Sequence, residues 1–194
     1  MSYGKQRVFL MRHGETEWSL NRKHTGSTDI PLTENGRSSA RKLEPILVRQ
    51  KFDLVLVSPM QRARETCALA GLGSIASVDE SLREWNYGDY EGLTTRQIRA
   101  STPTWQIFDD GCPGGETPAD VGERVDRVIA RARGVDGNIA LFAHGHVLRV
   151  LAARWIGLPV AAGASFILDT ATLSVLGYYD GISAIERWNE SVNT

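Results

Sequence analysis

The apolar residues of the chain fall into short unbroken runs, each followed at once by polar residues. Residues 8–11, 53–58 and 138–143 contain three such runs, and their apolar positions do not alternate with polar ones. A strand that is covered on both faces has this pattern, whereas a half-exposed strand alternates. The runs therefore predict three buried strands of a mostly parallel sheet.

Capping residues place helices between and after these strands. Thr33 can cap the first helix, in which Pro45 predicts a kink or a break. Ser58 and Pro59 predict an N-cap followed by the first helical residue, and Thr117 precedes another proline in the same way. The predicted helices cover residues 34–49, 59–70, 118–133 and 145–157. Their alternation with strands predicts a three-layer α/β/α sandwich.

The remaining segments complete a single predicted domain over residues 1–194. Asp180 and Gly181 predict a turn in the tail. The strands predicted around it cover residues 166–168, 172–179 and 184–188. Residues 81–116 are rich in glycine, proline and aromatic side chains and lack a long hydrophobic period. We expect this stretch to be an insertion that covers a site.

The charge balance and the cysteine content argue against several classes of function. The 22 Lys and Arg residues are balanced by 23 Asp and Glu residues, so the chain offers no basic field to a nucleic acid. No window approaches the roughly 20 apolar residues of a membrane span. Cys67 and Cys112, the two cysteines, are too few for a disulfide framework and lack metal-ligand spacing. We expect a reducing, cytoplasmic location.

Three polar clusters follow the three buried strands. Arg12 and His13 end the first strand, Arg62 lies just beyond the second, and His144 ends the third. Each cluster alone is ordinary, because such residues are common in solvated turns. In an open α/β sheet, however, ligands bind beyond the carboxyl ends of the parallel strands. We therefore expect these four side chains to surround one site.

Two arginines and two histidines around one site suit phosphoryl transfer. A phosphoryl group in transit carries negative charge on three equatorial oxygens, which guanidinium groups can bind through paired donors. A neutral imidazole is a competent nucleophile, and His13 is the candidate. His144 could donate to the phosphate or stabilise charge on it, while Gly145 would let the backbone approach the transferred group.

A leaving oxygen also needs a proton, and Glu84 is the best candidate acid. It stands in the segment that is predicted to cover the site, next to Trp85. An aromatic shield would exclude water from the carboxyl group. That exclusion would raise the pKa of Glu84 and keep it partly protonated near neutral pH.

Several stretches carry a specific family resemblance. Residues 12–18 read RHGETEW, residues 25–26 read TG, and residues 31–33 read PLT. Further matches lie at residues 58–65, 82–93 and 143–149, in the same order along the chain. Together these motifs resemble the histidine phosphatase superfamily, whose fold is called phosphoglycerate-mutase-like. The resemblance implies that fold for this chain.

The resemblance also implies roles for individual residues. His13 would be the phosphorylated nucleophile, with Arg12, Arg62 and His144 forming the phosphate pocket. Glu84 would first donate a proton to the leaving oxygen and then activate water. The expected contacts with the rest of the substrate are Ser19, Thr25, Gly26, Tyr87 and Gly145. The family needs no metal, so none is expected here, and no cofactor is expected either.

Departures from the mutase pattern favour a hydrolase. Phosphoglycerate mutases carry an asparagine where Ser19 stands, a lysine near Thr95 and paired arginines near Asp109 and Asp110. Because those cations hold a second anionic group, acidic residues in their place would weaken a doubly anionic ligand. Residues 85–92, which read WNYGDYEG, look more like the small phosphatases, among them acid phosphatases and a sedoheptulose-bisphosphatase type. We expect hydrolysis of a small phosphate ester, such as a sugar phosphate.

Two other functions remain open. A phosphoglycerate mutase would use the same pocket but would protect its phosphohistidine from water. A non-catalytic phosphoryl-binding module would usually lack the nucleophile or an arginine, and neither is missing here. Ser19 and His146 could each touch the ligand or only support the fold. The final strands could pair two copies into a homodimer, although nothing in the sequence requires it.

Overall fold

The computed structural model describes residues 6–192, which form a six-stranded mixed sheet with helices on both faces. The strands are β1 (Val8–Arg12), β2 (Phe52–Val57), β3 (Ser77–Val78), β4 (Asn138–Ala143), β5 (Thr172–Tyr179) and β6 (Ile182–Ser191). Their order across the sheet is β3-β2-β4-β1-β5-β6. Strands β1 to β4 are parallel, while β5 and β6 run antiparallel to their neighbours. The predicted sandwich with a mostly parallel sheet is confirmed.

Eight α-helices connect and cover these strands within residues 6–192. They are α1 (Glu17–Leu20), α2 (Glu34–Arg41), α3 (Glu44–Leu47), α4 (Gln61–Leu69), α5 (Thr95–Ser101), α6 (Ile107–Asp110), α7 (Pro118–Arg133) and α8 (Gly145–Trp155). Short 3-10 helices cover Gly73–Ile75, Glu80–Leu82, Gly88–Tyr90 and Val160–Ser165. None of the helices in this range combines the length and the apolar character that a membrane crossing needs.

The unbroken apolar runs are explained by two separate cores, one on each face of the sheet. In β1, Val8 and Leu10 belong to the cluster that also contains the buried residues of α7 and α8. Phe9 and Met11 point to the other face and join the cluster formed with α3 and α4. Successive side chains of a strand point to opposite faces, so a strand covered on both sides must be apolar throughout.

Local capping signals predicted the start of α2 and the bounds of α7, whereas α1, α5 and α6 were not predicted. The hydroxyl of Thr33 accepts from the Gly36 N–H at the start of α2, and Pro45 lies in the separate short helix α3. Thr117 and Asp120 form a reciprocal capping box at the start of α7, which ends at Arg133 as predicted. These signals act over three or four residues, so the sequence predicts them correctly wherever no tertiary contact competes for the capping side chain.

The predicted start of α4 at Pro59 is wrong. The N-cap is Met60, and the helix begins at Gln61. The hydroxyl of Ser58 is drawn to the ring of His144, with Ser58 Oγ and His144 Nε2 separated by 2.7 Å. Asp29 instead accepts from the Gln61 N–H at 2.8 Å. A tertiary contact has therefore replaced the local cap.

The tail and the far sheet edge also differ in part from the sequence prediction. The strand at 172–179 and the turn at Asp180 are confirmed, and the last predicted strand lies within β6. Residues 166–168 form no strand but lie in the irregular connection that follows the 3-10 helix Val160–Ser165. The two-residue edge strand β3 was not predicted, because it is too short to show a pattern.

Residues 81–116 pack against the face of the sheet that carries α7 and α8. Trp85, Trp105 and Phe108 of this segment are buried in the same apolar cluster as those helices. The indole N–H groups find carbonyl partners, Trp85 with Glu116 at 2.9 Å and Trp105 with Gly111 at 2.8 Å. Buried tryptophans with satisfied N–H groups give the segment a fixed position without a long helix or strand.

Two glycines allow the loop after β1 to press against the start of α2. A Cβ atom at Gly36 would lie 2.2 Å from the carbonyl oxygen of Glu15 and 2.8 Å from its nitrogen. A Cβ atom at Gly14 would lie 2.5 Å from the carbonyl oxygen of Gly36. Because both neighbours are backbone atoms, they cannot rotate away. The backbone next to His13 is therefore fixed by the close approach of Gly14 to Gly36, which no larger side chain would allow.

We expect Gly36→Ala to lower the free energy of unfolding by about 1–3 kcal/mol, the usual cost of overpacking. Helix propensity alone favours Ala over Gly by about 1 kcal/mol, so a measured destabilisation isolates the clash. Gly134→Ala is the matched control, because Gly134 has φ of −81° and the nearest atom to its Cβ would be 3.5 Å away. Urea unfolding gives the free energy of unfolding of both variants. If Gly36→Ala were as stable as Gly134→Ala, the close contact at Gly36 would be contradicted.

Candidate active site

Two hydrogen bonds extend the sheet by one residue beyond the carboxyl ends of its central strands. The His13 N–H donates to Ala143 O at 3.0 Å, and the Ser58 N–H donates to Phe142 O at 2.9 Å. These bonds bring the residues that follow β1, β2 and β4 side by side. The ring centroids of His13 and His144 lie 5.1 Å apart. The predicted meeting of the strand ends is therefore present.

The ring of His13 is fixed in one tautomer. Its Nδ1 lies 2.7 Å from the carbonyl oxygen of Gly14, and because a carbonyl can only accept, Nδ1 carries the hydrogen. Nε2 is left with a lone pair and takes no hydrogen bond from the described residues. Burial, reinforced by the charges of Arg62 and Arg12, lowers the pKa of His13 well below its usual range. The ring is therefore neutral and has a nucleophilic nitrogen available.

His144 is also fixed, with both ring nitrogens engaged by protein atoms. Arg62 Nε donates to His144 Nδ1 at 3.1 Å, so the ring hydrogen lies on Nε2 and points to Ser58 Oγ. Burial and the neighbouring charge of Arg62 lower the pKa of His144 well below its usual range. Of the two roles expected for this ring, donating to the phosphate or stabilising charge on it, the first is not available here, because its N–H group donates to Ser58.

Arg12 has most of its donors uncommitted. Its Nη1 donates to the Leu168 carbonyl, while its buried Nε has no hydrogen-bond partner in the described part of the chain. The guanidinium lies over Gly145, where a Cβ atom would be 3.3 Å from Arg12 Cζ. Gly145 thus makes room for Arg12, rather than only bringing backbone close to the transferred group as we had expected. An unpartnered buried donor is costly unless an anion can bind it.

Glu84 is placed at the amino end of α8 and not in a simple apolar shield. Its Oε1 accepts from the N–H groups of Trp85 at 2.9 Å and Val147 at 3.0 Å, and its Oε2 accepts from the His146 N–H at 3.0 Å. Burial acts to raise the pKa of Glu84, as Trp85 had suggested. The hydrogen bonds and charge of His146 outweigh burial and hold that pKa well below its usual range. The expected raised pKa is therefore wrong for the unliganded protein.

A small cavity of about 150 Å³ joins these groups. Its lining includes Arg12, His13, Ser19, Arg22, Lys23, His24, Thr25, Glu84, Tyr87, Gly145, His146, Arg149 and Leu168. Arg62 and His144 are fully buried next to His13 and do not line the cavity themselves. The predicted cluster is thus brought together as two layers, with Arg12, His13 and Glu84 in contact with the open space.

The predicted substrate-contact residues are divided between the cavity and its support. Thr25 and Tyr87 line the cavity as expected. Ser19 also lines it, but its hydroxyl closes a capping box with Thr16 at the start of α1. Gly26 does not line the cavity, and its carbonyl accepts from Arg62 Nη2 at 3.0 Å. Ser19 and Gly26 therefore have structural partners that the sequence did not reveal.

An aromatic and histidine cluster was missed at the cavity wall. His24 is buried, and its Nε2 lies 3.2 Å from Thr95 Oγ1. Burial is the main reason that the pKa of His24 is lowered to about 4. The Tyr87 hydroxyl lies 2.7 Å from His146 Nδ1. Burial raises the pKa of Tyr87 well above its usual range, so the phenol keeps its hydrogen. The family resemblance already pointed to this stretch of the sequence, but it named only Thr25 and Gly26 and not the adjacent His24.

Cations at the cavity overturn one expectation about the substrate. Asp109 and Asp110, which we expected to disfavour a second anionic group, are exposed residues of α6 and do not line the cavity. Arg22, Lys23 and Arg149 line it instead. None of these three takes part in an ion pair within residues 6–192. The cavity is therefore suited to anions beyond the phosphate pocket as well.

No group of three or more His, Cys, Asp or Glu side chains in residues 6–192 is arranged to hold a metal ion. The two cysteines lie apart from the cavity lining, and both are buried. Burial raises the pKa of the Cys67 thiol to about 12, so the thiolate form is suppressed. Neither cysteine is a candidate nucleophile for the site.

Comparison with known proteins finds phosphatases that resemble most of the chain. An acid phosphatase of Mycobacterium tuberculosis is 41% identical over 186 residues, which cover 94% of this chain and 91% of that protein. A sedoheptulose 1,7-bisphosphatase of Saccharomyces cerevisiae is 39% identical over 187 residues, with coverages of 79% and 69%.

A solved structure and a family model agree with these relatives. The structure of an open-reading-frame product of Mycobacterium tuberculosis superposes with a TM-score of 0.94 at 38% identity, covering 98% of this chain and all of that one. The model of the histidine phosphatase superfamily (branch 1) matches residues 8–191. Those residues contain every strand and every candidate side chain described above. The chain belongs to the histidine phosphatase superfamily, branch 1, and is a phosphatase of that family.

Proposed function

We propose that the enzyme hydrolyses a small phosphorylated metabolite, such as a sugar phosphate, through a phosphohistidine at His13. The observation that carries this proposal is the tautomer of His13, whose Nδ1 hydrogen donates to Gly14 O while Nε2 stays free. A nucleophile of this kind needs no general base, because the attacking nitrogen is already unprotonated.

Arg12 and Arg62 supply the charge that the transferred group requires. Both guanidinium groups are close enough to His13 to lower its pKa. Arg12 is the better candidate for a clamp, because four of its five N–H groups, including the buried Nε, have no partner among the described residues. Fixed donors in a site that excludes water stabilise the equatorial oxygens without reorganisation during the reaction.

Glu84 carries the proton in both half-reactions. In the first, His13 Nε2 attacks phosphorus, the bond to the ester oxygen breaks, and the leaving oxygen takes the proton of the Glu84 carboxyl group. In the second, the Glu84 carboxylate takes a proton from water, and the resulting hydroxide displaces the phosphoryl group from His13. Its Oε1 accepts two backbone N–H groups, whereas Oε2 accepts one, so Oε2 is the oxygen that carries this proton.

The low pKa of Glu84 in the free protein means that its proton must arrive with the substrate. A phosphate monoester loses its second proton at a pH of about 6. The monoanionic ester can therefore bring a proton to Glu84, and the bound phosphate then favours the neutral carboxyl group through its own negative charge. Substrate protonation and acid catalysis are coupled in this way.

The identity of the substrate is bounded by the cavity. A volume of about 150 Å³ suits a small ester, and Arg22, Lys23 and Arg149 favour one with further anionic or polar groups. We propose that residues 81–116, which supply Glu84 and Tyr87, cover the bound ester. The relatives named acid phosphatase and sedoheptulose 1,7-bisphosphatase, at 41% and 39% identity, support hydrolysis, whereas the relatives named phosphoglycerate mutase are 30% to 34% identical. We propose that the enzyme acts in the cytoplasm, that it hydrolyses a free metabolite, and that it uses neither a metal ion nor a cofactor.

A substrate panel tests the reaction class. We expect phosphate release from sugar monophosphates and bisphosphates, and little conversion of 3-phosphoglycerate to 2-phosphoglycerate in a coupled assay. His13→Ala should abolish phosphate release and the acid-labile phosphoenzyme together. Efficient isomerisation without phosphate release would favour the mutase, whereas normal turnover by His13→Ala would remove the assigned nucleophile.

Replacing Glu84 with glutamine separates the two half-reactions. We expect hydrolysis of an alkyl ester such as glycerol phosphate to fall by about 10²–10⁴-fold, the usual contribution of a general acid. With p-nitrophenyl phosphate, whose leaving group departs without a proton, the first transfer should continue and give a burst of nitrophenol followed by slow turnover. Mass spectrometry should then show phosphoenzyme accumulating.

Glu80→Gln is the control for this experiment, because Glu80 is exposed and pairs only with Arg83 in the described chain. It should behave like the unmodified enzyme with both esters. Equal losses on both esters for Glu84→Gln, with no burst, would argue against a proton-transfer role for Glu84.

The pKa directions predict a mildly acidic optimum. A free imidazole is half protonated at a pH of about 6.5. Because burial lowers the pKa of His13, its ring is still neutral when the pH falls below that value. The ester monoanion becomes the main form below a pH of about 6. The kcat/KM for an alkyl phosphate should therefore rise as the pH falls through this value, with the loss from His13 protonation appearing only at lower pH. A steep decline between neutral and mildly acidic pH would contradict a neutral His13.

A further inference from the structure

The guanidinium of Arg62 is fully buried. None of the ion pairs within residues 6–192 includes Arg62. Its Nη2 donates to the carbonyls of Thr25 and Gly26, and its Nη1 donates to the carbonyl of Thr28, all at 3.0 Å. With Nε on His144, four of its five N–H groups are engaged, which leaves one on Nη1.

The loop that supplies these carbonyls is itself held by Glu91. Oε1 of Glu91 accepts from the Gly26 N–H at 2.9 Å and from the Thr28 N–H at 3.1 Å. Oε2 also accepts from the Gly26 N–H, at 3.0 Å. Glu91 follows the 3-10 helix Gly88–Tyr90, so it belongs to the segment that packs over the site. The loop is thus bound by Arg62 on its carbonyl side and by Glu91 on its N–H side.

One peptide group joins the two charges directly. The carbonyl of Thr25 and the N–H of Gly26 belong to the same peptide unit, and the first accepts from Arg62 while the second donates to Glu91. A carboxylate at the N–H end and a guanidinium at the carbonyl end polarise this peptide in the same sense. Hydrogen bonds arranged in such a chain strengthen one another. The peptide group therefore couples the guanidinium of Arg62 to the carboxylate of Glu91, although the two are not in contact.

The same loop is tied to the covering segment by backbone bonds as well. The His24 N–H donates to Leu93 O at 2.8 Å, and the Gly92 N–H donates to His24 O at 2.9 Å. These bonds fix the loop just before Thr25 but leave the orientation of the following peptide to Glu91. Loss of the carboxylate would therefore leave the loop attached while releasing the peptide that faces Arg62.

We propose that Glu91 is a positioning residue for the phosphate site, which fixes the guanidinium of Arg62 through the peptide group between Thr25 and Gly26. The proposal rests on the proposed function only in assigning Arg62 to phosphate. A buried cation held by neutral carbonyls alone could shift toward any bound anion and lose its alignment. Glu91 keeps the carbonyls in place, so that the remaining Nη1 hydrogen of Arg62 is presented in one direction.

A double-mutant cycle tests this action through Arg62. We expect Glu91→Gln to lower kcat/KM for p-nitrophenyl phosphate by roughly tenfold, and Arg62→Ala to lower it by about 10²–10³-fold, as for loss of one preorganised donor. The combined variant should lose no more than Arg62→Ala alone, because the proposal routes the whole effect of Glu91 through Arg62. Losses that multiply would overturn the proposal, as would a folded Glu91→Gln enzyme within twofold of the unmodified one.

Asp89→Asn is the matched control. Asp89 lies in the 3-10 helix that directly precedes Glu91 and is exposed, and its side chain makes no hydrogen bond within the described residues. The substitution therefore removes the same charge without breaking such a contact. Its kcat/KM should stay within twofold. If Glu91→Gln does not fold, Glu91→Asp takes its place, because it keeps the charge but shortens the side chain. Its activity should fall in the otherwise unmodified enzyme. In the Arg62→Ala background the same substitution should cause no further loss. An unchanged loss in that background would reject the coupling.

Binding of inorganic phosphate separates this proposal from the proposed reaction. The cycle is repeated by calorimetry on the same variants, with no turnover involved. Non-additive losses in phosphate affinity support the Glu91–Arg62 coupling even if His13→Ala leaves hydrolysis intact and so removes the proposed nucleophile. Additive losses in affinity reject the coupling whatever the outcome at His13.

Discussion

The site depends above all on the register of the three central parallel strands. Val57 is aligned with Phe142, and Arg12 is aligned with Ala143, so the residues that follow these strands come side by side. A slip of one residue would exchange the two faces of a strand and put each side chain into the core on the opposite face, where the packing does not fit it. Because both faces are buried, the cores that stabilise the sheet also prevent such a slip. Packing far from the site therefore sets the distance between its groups.

This placement concentrates positive charge where water is largely excluded. Arg12 and Arg62 are brought next to two histidines that stay neutral because protonation would add charge to the same buried volume. Carbonyl groups and the ring of His144 accept from Arg62, and within residues 6–192 no direct ion pair neutralises either guanidinium. A direct ion pair would have stabilised the empty site and weakened its attraction for an anion. The fold instead leaves that attraction for the phosphoryl group.

The sequence predicted those parts of the fold that are determined by near neighbours. The helix after Thr117 has its predicted bounds, because the proline and the capping box act within one turn. The helix after Ser58 does not, because that hydroxyl contacts His144, which is 86 residues away in the chain. Arg12, His13, Arg62 and His144 were found because they follow strands, whereas the resemblance named Thr25 and Gly26 but not their neighbour His24, and nothing in the sequence singled out Glu91. Their roles are set by contacts that only the folded chain provides.

Glu84 shows how a distant element can reverse a local inference. Trp85 suggests desolvation and a raised pKa, and burial does act in that direction. The N–H groups of His146 and Val147, however, come from the first turn of α8, where the helix favours negative charge. In many phosphate sites that end of a helix binds the phosphate itself. Here the carboxylate already occupies it, so we expect guanidinium groups to hold the phosphate, and the helix instead positions the proposed proton donor.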